Sequence, residues 1–318
     1  MIVVTGAAGF IGANLAKKLN RLGYLDLVLI DDFSRADKAA NHTAIRATAR
    51  IERSVFISWL AQNQRSVQYV FHLGARTDTT ESDLDVLNHL NLDFSKQVFN
   101  SCLQFGLPLL YASSAATYGD GMMGFDDTDD QQIFNLKPLN PYGISKNEFD
   151  KWTLIQPKKP FQCVGLKFFN VYGSNESHKR RMASVVYHAY NQIKTTKKMQ
   201  LFKSYNPKFE DGQQRRDFIY VEDLVDVLLF FMENRHLSGI FNLGTGQAQS
   251  FLELAESIFE TMKLPKKIEF IDLPHELKDK YQYFTQANMN KLRQAGYNKP
   301  FATLQQGIKD YIDNYLNL

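Results

Sequence analysis

Tyr142 and Lys146 stand four residues apart in the run Asn140-Pro141-Tyr142-Gly143-Ile144-Ser145-Lys146. Pro141 suits the first position of a helix, where its missing N–H is no loss. Asn140 can cap the free amides behind it. On such a helix the phenol and the ammonium share one face. A neighbouring ammonium favours the phenolate, so the spacing predicts a lowered tyrosine pKa. The chemistry would be general acid/base work on an alcohol proton near neutral pH. A Tyr-x-x-x-Lys pair also arises by chance on many helices, so its meaning depends on partners elsewhere in the chain.

Two partners are visible. The apolar strand Leu109-Leu110-Tyr111-Ala112 ends in Ser113-Ser114-Ala115-Ala116-Thr117-Tyr118-Gly119. Ligands of a parallel sheet sit beyond the carboxyl ends of its strands, so Ser114 could hold a substrate hydroxyl. The competing reading is a serine-rich turn that satisfies its own backbone. The second partner is at the start of the chain. A strand, Ile2 to Thr5, runs into Gly6-Ala7-Ala8-Gly9-Phe10-Ile11-Gly12, and an amphipathic helix is expected from about Ala13 to Leu22. Gly6 permits a tight turn, Gly9 lets backbone approach a pyrophosphate, and Gly12 lets helix and strand pack closely. The helix N-terminus, with Phe10 and Ile11 in the loop before it, would offer amides to phosphate.

The next strand, Leu27 to Ile30, ends in Asp31-Asp32, about twenty residues past the loop, where a carboxylate can hold ribose hydroxyls. That points to NAD. Arg35 and Lys38 follow at once, and cations there could hold a 2′-phosphate, which points to NADP; they could also be solvated surface charges. Ala39 to Asn63 is expected to be helical without chemistry of its own. Val67 to Leu73 reads as a further strand, whose Leu73-Gly74-Ala75 end leaves room for a ligand backbone. His72 within it reads as a satisfied core histidine. A helix is expected from about Val86 to Phe105, stopped by Gly106-Leu107-Pro108.

Bulk composition sets limits on function. The chain has 318 residues, 44% hydrophobic and 22% charged, with a net charge of +3. That is an ordinary globular balance, and the charge is too small to argue for nucleic acid or a membrane surface. Cys102 and Cys163 lie in apolar segments without metal-like spacing, and read as reduced buried thiols. Met1 leads straight into an apolar strand rather than a signal segment. No apolar run reaches the roughly eighteen residues of a membrane helix. A cytoplasmic protein without a metal site is the expectation.

Taken together, Gly6-x-x-Gly9-x-x-Gly12, Ser114 and Tyr142-x-x-x-Lys146 resemble the extended short-chain dehydrogenase/reductases. That resemblance implies Tyr142 as acid/base, Lys146 on the nicotinamide ribose, and Ser114 on the substrate hydroxyl. Dehydratases of that family carry an Asp-Glu pair where this chain has Ala115-Ala116-Thr117. Tyr111 to Gly119, Phe168 to Gly173, His178-Lys179, Met182 to Val185, Arg216 to Val221, Phe241 to Gly246 and Tyr281 to Ala287 are instead similar to the ADP-heptose 6-epimerases. The implied reaction is transient oxidation of an ADP-heptose at C6 with return of the hydride to the opposite face, in lipopolysaccharide inner-core heptose synthesis. By the same carry-over Lys179 is a second acid/base, and Val171 lies at the nicotinamide. Asn170, Arg181, His188, Phe202, Arg216 and Tyr281 face the nucleotide sugar. A guanidinium such as Arg216 forks onto phosphate oxygens. Arg53 falls where relatives bring a lysine towards the adenosine phosphate, favouring NADP. Homo-oligomers, specifically pentamers, are implied.

This chain departs from that pattern at Leu90, Ser174-Asn175, Arg180-Arg181 (where Gly-Ser is usual) and 203–214. Lys179 also reads as one solvated lysine in Lys179-Arg180-Arg181. A 4-epimerase or reductase of nucleotide sugars stays open as an alternative, as does a protein that binds NAD(P) without catalysis. The expected fold is α/β: a Rossmann-type doubly wound parallel sheet with a smaller α/β substrate-binding domain. The first would take 1–171 and about 215–245, the second about 172–214 and 246–318.

Overall fold

Runs such as Ile2-Val3-Val4 and Leu27-Val28-Leu29-Ile30 are apolar on both sides, which suits a strand with no wet face. The computed structural model, which describes residues 1–81, 83–274 and 281–317, buries them on both sides. The strands are β1 (Ile2–Thr5), β2 (Leu27–Asp31), β3 (Ala49–Glu52), β4 (Tyr69–His72), β5 (Leu109–Ser114), β6 (Cys163–Phe168), β7 (Asn170–Tyr172), β8 (Met199–Phe202), β9 (Arg215–Tyr220), β10 (Gly239–Leu243), β11 (Ala248–Ser250) and β12 (Ile268–Ile271). Seven of them form one sheet in the order β10-β6-β5-β4-β1-β2-β3. Every pairing in it is parallel.

Alternation sends neighbouring side chains to opposite faces, and both faces are covered. Val3, Val28 and Val70 meet Phe56, Leu60, Phe99 and Phe149 from the helices Phe56–Asn63, Phe94–Phe105 and Pro141–Ile155. Val4, Leu29 and Phe71 meet Ala13, Leu15 and Leu19 of the helix Phe10–Arg21 and Leu224, Leu228 and Phe231 of the helix Val221–Glu233. A fully buried anchor such as Phe99 contributes roughly 3–5 kcal/mol if truncated to alanine. Strand order reverses between β1 and β4, the switch point where ligands bind in such sheets. The expected doubly wound sheet is present.

A second cluster holds the remainder. β7 and β9 pair in parallel, β9 and β11 antiparallel, and β8 and β12 in parallel. Tyr172, Tyr190, Phe218, Ile258 and Tyr311 pack between these strands and the helices Val185–Thr196, Phe251–Thr261 and Leu304–Tyr311. Positions 275–280 and 318 of the expected substrate-binding part lie outside the described residues. Among the described residues no helix is long and apolar enough to cross a membrane. Cys102 and Cys163 are free and buried.

Two expectations need correction. The stretch 39–63 is not one helix: a short turn at Ala39–His42 leads to strand β3 and then to the helix Phe56–Asn63. β3 is an edge strand whose Arg50 and Glu52 are exposed while Ala49 and Ile51 are half-buried, so its apolar signal is diluted by charge. The helix expected over 86–105 begins at Leu84 and passes through a π-helical turn at Asn88–Asp93. Such turns are uncommon inside α-helices and gather at functional sites. Here the turn carries Asn91 inward, fully buried, where its amide bonds both backbone groups of Arg76 and donates to Ser145 Oγ.

Candidate functional site

The loop after β1 is shaped for a close-lying ligand. Gly6 has φ +69°, and a Cβ there would lie 2.7 Å from the backbone of Gly74 beyond β4. A Cβ on Gly12 would lie 2.2 Å from the Gly6 carbonyl. The helix that starts at Phe10 has Gly9 as its N-cap and no side-chain cap, so its first amides are open to an anion. These residues, with Ile11, Asp31, Lys38, Arg53, Leu73, Gly74 and Ala75, line one cavity of about 930 Å³. That is the group expected from the sequence to hold a dinucleotide. Asp32 stands just outside, half-buried, and binds Ser34.

Asp31 does not present a free carboxylate. One oxygen accepts from the Ala8 amide at 2.8 Å, and the other from the Asp32 amide and Lys38 Nζ, each at 2.8 Å. Arg35 lines the same cavity, paired to Asp37 at 2.7 Å. This end of the cavity therefore carries cations around a carboxylate that is already engaged.

One strand over, the Ser114, Tyr142 and Lys146 side chains converge at the end of β5. Asn140 caps the helix by accepting from the Gly143 amide at 2.8 Å, and Pro141 opens it. A Cβ on Gly143 would come 2.7 Å from the Ala116 carbonyl, so this glycine lets the helix start press against the turn after β5. That contact brings Tyr142 beside Ser114. Lys146 is buried and donates from Nζ to the Ala112 carbonyl at 2.8 Å. Ser114 Oγ accepts from the Ala116 amide at 3.1 Å, as the self-satisfied turn would have it, and it also hydrogen-bonds the phenol.

The electrostatics correct one expectation. Burial raises the Tyr142 pKa above its ordinary value, with the Ser114 hydrogen bond working in the opposite direction. The lysine does not produce the lowering that the spacing suggested. Its own pKa is brought down to about 8, because burial disfavours the ammonium. His72 is the satisfied core histidine expected: Thr5 Oγ1 and Ser95 Oγ each lie 2.8 Å from its ring nitrogens, and burial brings its pKa to about 3.

Lys179 belongs to the turn Ser177–Met182, on the cavity wall, with Nζ 5.5 Å from the centroid of the Phe10 ring. Burial lowers its pKa, against the pull of Glu176. His178 beside it lies 3.0 Å from the Asn41 amide. Arg180 adopts φ +50° and ψ −123°, a conformation that favours glycine. Arg181 reaches across to Asp78 at 3.2 Å and to Thr80. The departures at 174–175 and 180–181 lie in or beside this turn. Ser174 and Asn175 dock this segment on the first helix, through Asn14 at 2.8 and 2.9 Å and Lys17 at 2.6 Å. Asn14, a polar residue inside an otherwise amphipathic helix, was the available signal.

The remaining candidates lie on β7, β8, β9, the helix Val185–Thr196 and the segment after residue 280. Arg216 is buried, its guanidinium 5.5 Å from the rings of both Phe251 and Tyr281, and it donates to the Arg215 and Gln282 carbonyls. Burial lowers its pKa to about 10. Phe202 meets Tyr281 edge-on at 6.3 Å. Asn170 is exposed and Val171 half-buried on β7. His188 is exposed on its helix, its ring edge-on to Tyr187. Arg76, Thr77 and Asp78 also line the cavity and were not anticipated; they follow Ala75 directly and carry no motif of their own.

Comparison with known proteins adds the wider context. Residues 2–244 match the model of the NAD dependent epimerase/dehydratase family. An ADP-L-glycero-D-manno-heptose-6-epimerase of Fusobacterium nucleatum is 43% identical over 99% of this chain and 98% of its own length. One of the same name from Nitratidesulfovibrio vulgaris is also 43% identical, with the same coverage. The crystal structure of a Helicobacter pylori protein of that name superposes with a TM-score of 0.84 at 27% identity, covering 100% of this chain and 96% of that one.

Proposed function

The chain belongs to the NAD-dependent epimerase/dehydratase family, and within it we propose that it inverts C6 of ADP-D-glycero-D-manno-heptose to give the L-glycero product. The observation that carries this reading is 43% identity across 99% of the chain to relatives of that name, from the glycine loop to Tyr281 and beyond. The proposed setting is heptose supply for the lipopolysaccharide inner core, in the cytoplasm.

The target carbon bears a hydrogen and a hydroxyl and has no neighbouring carbonyl to acidify it, so direct deprotonation is very slow. When bound, the nicotinamide supplies a reversible acceptor for hydride. Tyr142 takes the hydroxyl proton while Ser114 holds that oxygen, leaving a ketone at C6. Lys146, fixed on the Ala112 carbonyl, orients the ribose and keeps positive charge beside the phenol. Return of hydride to the other face of that ketone would require it to turn over in the site, and its oxygen would then be reprotonated. Lys179 serves that second face. This role requires the ammonium to leave the Phe10 ring and swing towards the sugar.

We assign NADP rather than NAD. Arg35, Lys38 and Arg53 on the cavity wall suit a 2′-phosphate, and the Asp31 carboxylate is spent on Ala8 and Lys38. Gly6, Gly9, Phe10, Ile11, Gly12, Leu73, Gly74, Ala75 and Val171 complete the cofactor half, which takes 1–171 and about 215–245. Arg216 holds the diphosphate, and Tyr281, Phe202, His188, Asn170 and Arg181 hold the rest of the nucleotide sugar. We read the active species as a homo-oligomer, a pentamer by family resemblance. The test is incubation of purified protein with ADP-heptose and, separately, UDP-glucose. Inversion of the heptose alone is expected; turnover of the uridine sugar alone would overturn the assignment.

A further inference from the structure

Behind the Tyr142–Lys146 face lies an ion pair that the reaction above does not use. Asp150 and Lys167 are both fully buried, with Nζ 2.8 Å from Oδ2. Asp150 follows Lys146 by one helical turn and so shares its face. Ser113 Oγ donates to Asp150 Oδ2 at 2.7 Å, and the Tyr111 hydroxyl to Oδ1 at 3.2 Å. Lys167, on β6, also donates to Thr117 Oγ1 at 2.6 Å and lies 5.1 Å from the Tyr118 ring centroid. The two serines that end β5 thus divide by alternation: Ser114 faces Tyr142, and Ser113 faces Asp150. Burying two charges costs several kcal/mol each before they attract, and an apolar pair of the same volume is often the more stable choice. Packing alone therefore gives no reason for charges at this place.

We propose that Asp150 is a positioning residue for the acid/base pair: its buried carboxylate, paired to Lys167, keeps Lys146 an ammonium on the Ala112 carbonyl. The titratable groups around Lys146 and Asp150 support this. On its own helix stand Tyr142 and Asp150. From β4 comes His72, neutral because burial brings its pKa to about 3. β5 contributes Tyr111, the turn after it Tyr118, and β6 contributes Lys167 and Cys163; burial holds both phenols neutral and pushes the thiol up to about 12. Asp150 is the anion of this set. Its field opposes the burial that brings Lys146 down to about 8.

The inference rests on the acid/base reading of Tyr142 and Lys146, and its test has a readout independent of turnover. The Lys146 side chain is titrated by NMR in lysine-labelled protein, with its signal assigned from Lys146→Arg. Asp150→Asn alone strands Lys167 and is expected to fold poorly, so the variant measured is the charge-free pair Asp150→Asn with Lys167→Met. Its Lys146 midpoint should fall by about one pH unit from the parent's value near 8. The alkaline limb of the epimerisation profile should move down with it. Lys167→Arg, which keeps the charge, should leave the midpoint in place. A folded double variant with an unmoved midpoint overturns the proposal, whatever the substrate proves to be. A parent that titrates near 8 yet inverts no heptose overturns the assigned function instead.

Discussion

The two proposed acid/base groups, Tyr142 and Lys179, are held in different ways. Tyr142 stands on the first turn of a fifteen-residue helix capped by Asn140, pressed through Gly143 onto the end of β5. Lys179 stands on a short turn with Arg180 at φ +50°, tethered by Asn14, Lys17 and Asn41 and by the exposed Arg181–Asp78 pair. The first place is made by regular structure. The second is made by side-chain contacts, and the proposed role of Lys179 would take its ammonium from the Phe10 ring to the sugar.

Removing the helix-borne partner should have the largest effect. Tyr142→Phe is expected to lower epimerisation by about 10²–10⁴-fold, the range for loss of a positioned acid/base, with thermal stability little changed. Steady-state assay and calorimetry check both halves. Lys179→Met should cost less, about 10²-fold at the low end of that range, while the protein as purified keeps its nucleotide. Unchanged epimerisation in this variant would leave Tyr142 as the sole acid/base and remove the contrast.

The pH profile sharpens the same contrast. Lys146 has its pKa below the usual lysine value, at about 8, so its ammonium is present at lower pH and is lost as pH rises through 8. Activity should fall on that alkaline side. In Lys146→Arg, whose guanidinium stays charged, the limb should disappear even though kcat drops. The smallest effect concerns the turn that carries Lys179. Arg180→Gly relieves a backbone conformation that costs a side chain of order 1–3 kcal/mol. A net gain of about 1 kcal/mol in unfolding free energy is expected after glycine's own entropy cost, read as a raised Tm.

The same division governs what the sequence disclosed. Tyr142 and Lys146, the Asn140 cap, and the strand–glycine loop–helix at Gly6 to Gly12 follow from local spacing, and the fold places them as the spacing predicts. Lys179 could be singled out by resemblance alone, because nothing local distinguishes it from a surface lysine. β3 escaped because an edge strand with Arg50 and Glu52 facing solvent lacks an apolar stripe. The Tyr142 pKa ran against expectation for a non-local reason: burial depends on what β5 and its turn place around the ring, which the four-residue spacing does not contain. Asp150 and Lys167 lie 17 positions apart, and the packing of the helix Pro141–Ile155 on paired β5 and β6 brings them together.

The claim on which the account turns is that the C6 hydrogen leaves and returns as hydride while only the hydroxyl proton passes through Tyr142 and Lys179. Epimerisation of ADP-heptose in D2O, followed by NMR of the product, tests it directly. The account predicts inverted product with no deuterium at C6; deuterium there at a level matching turnover would contradict it.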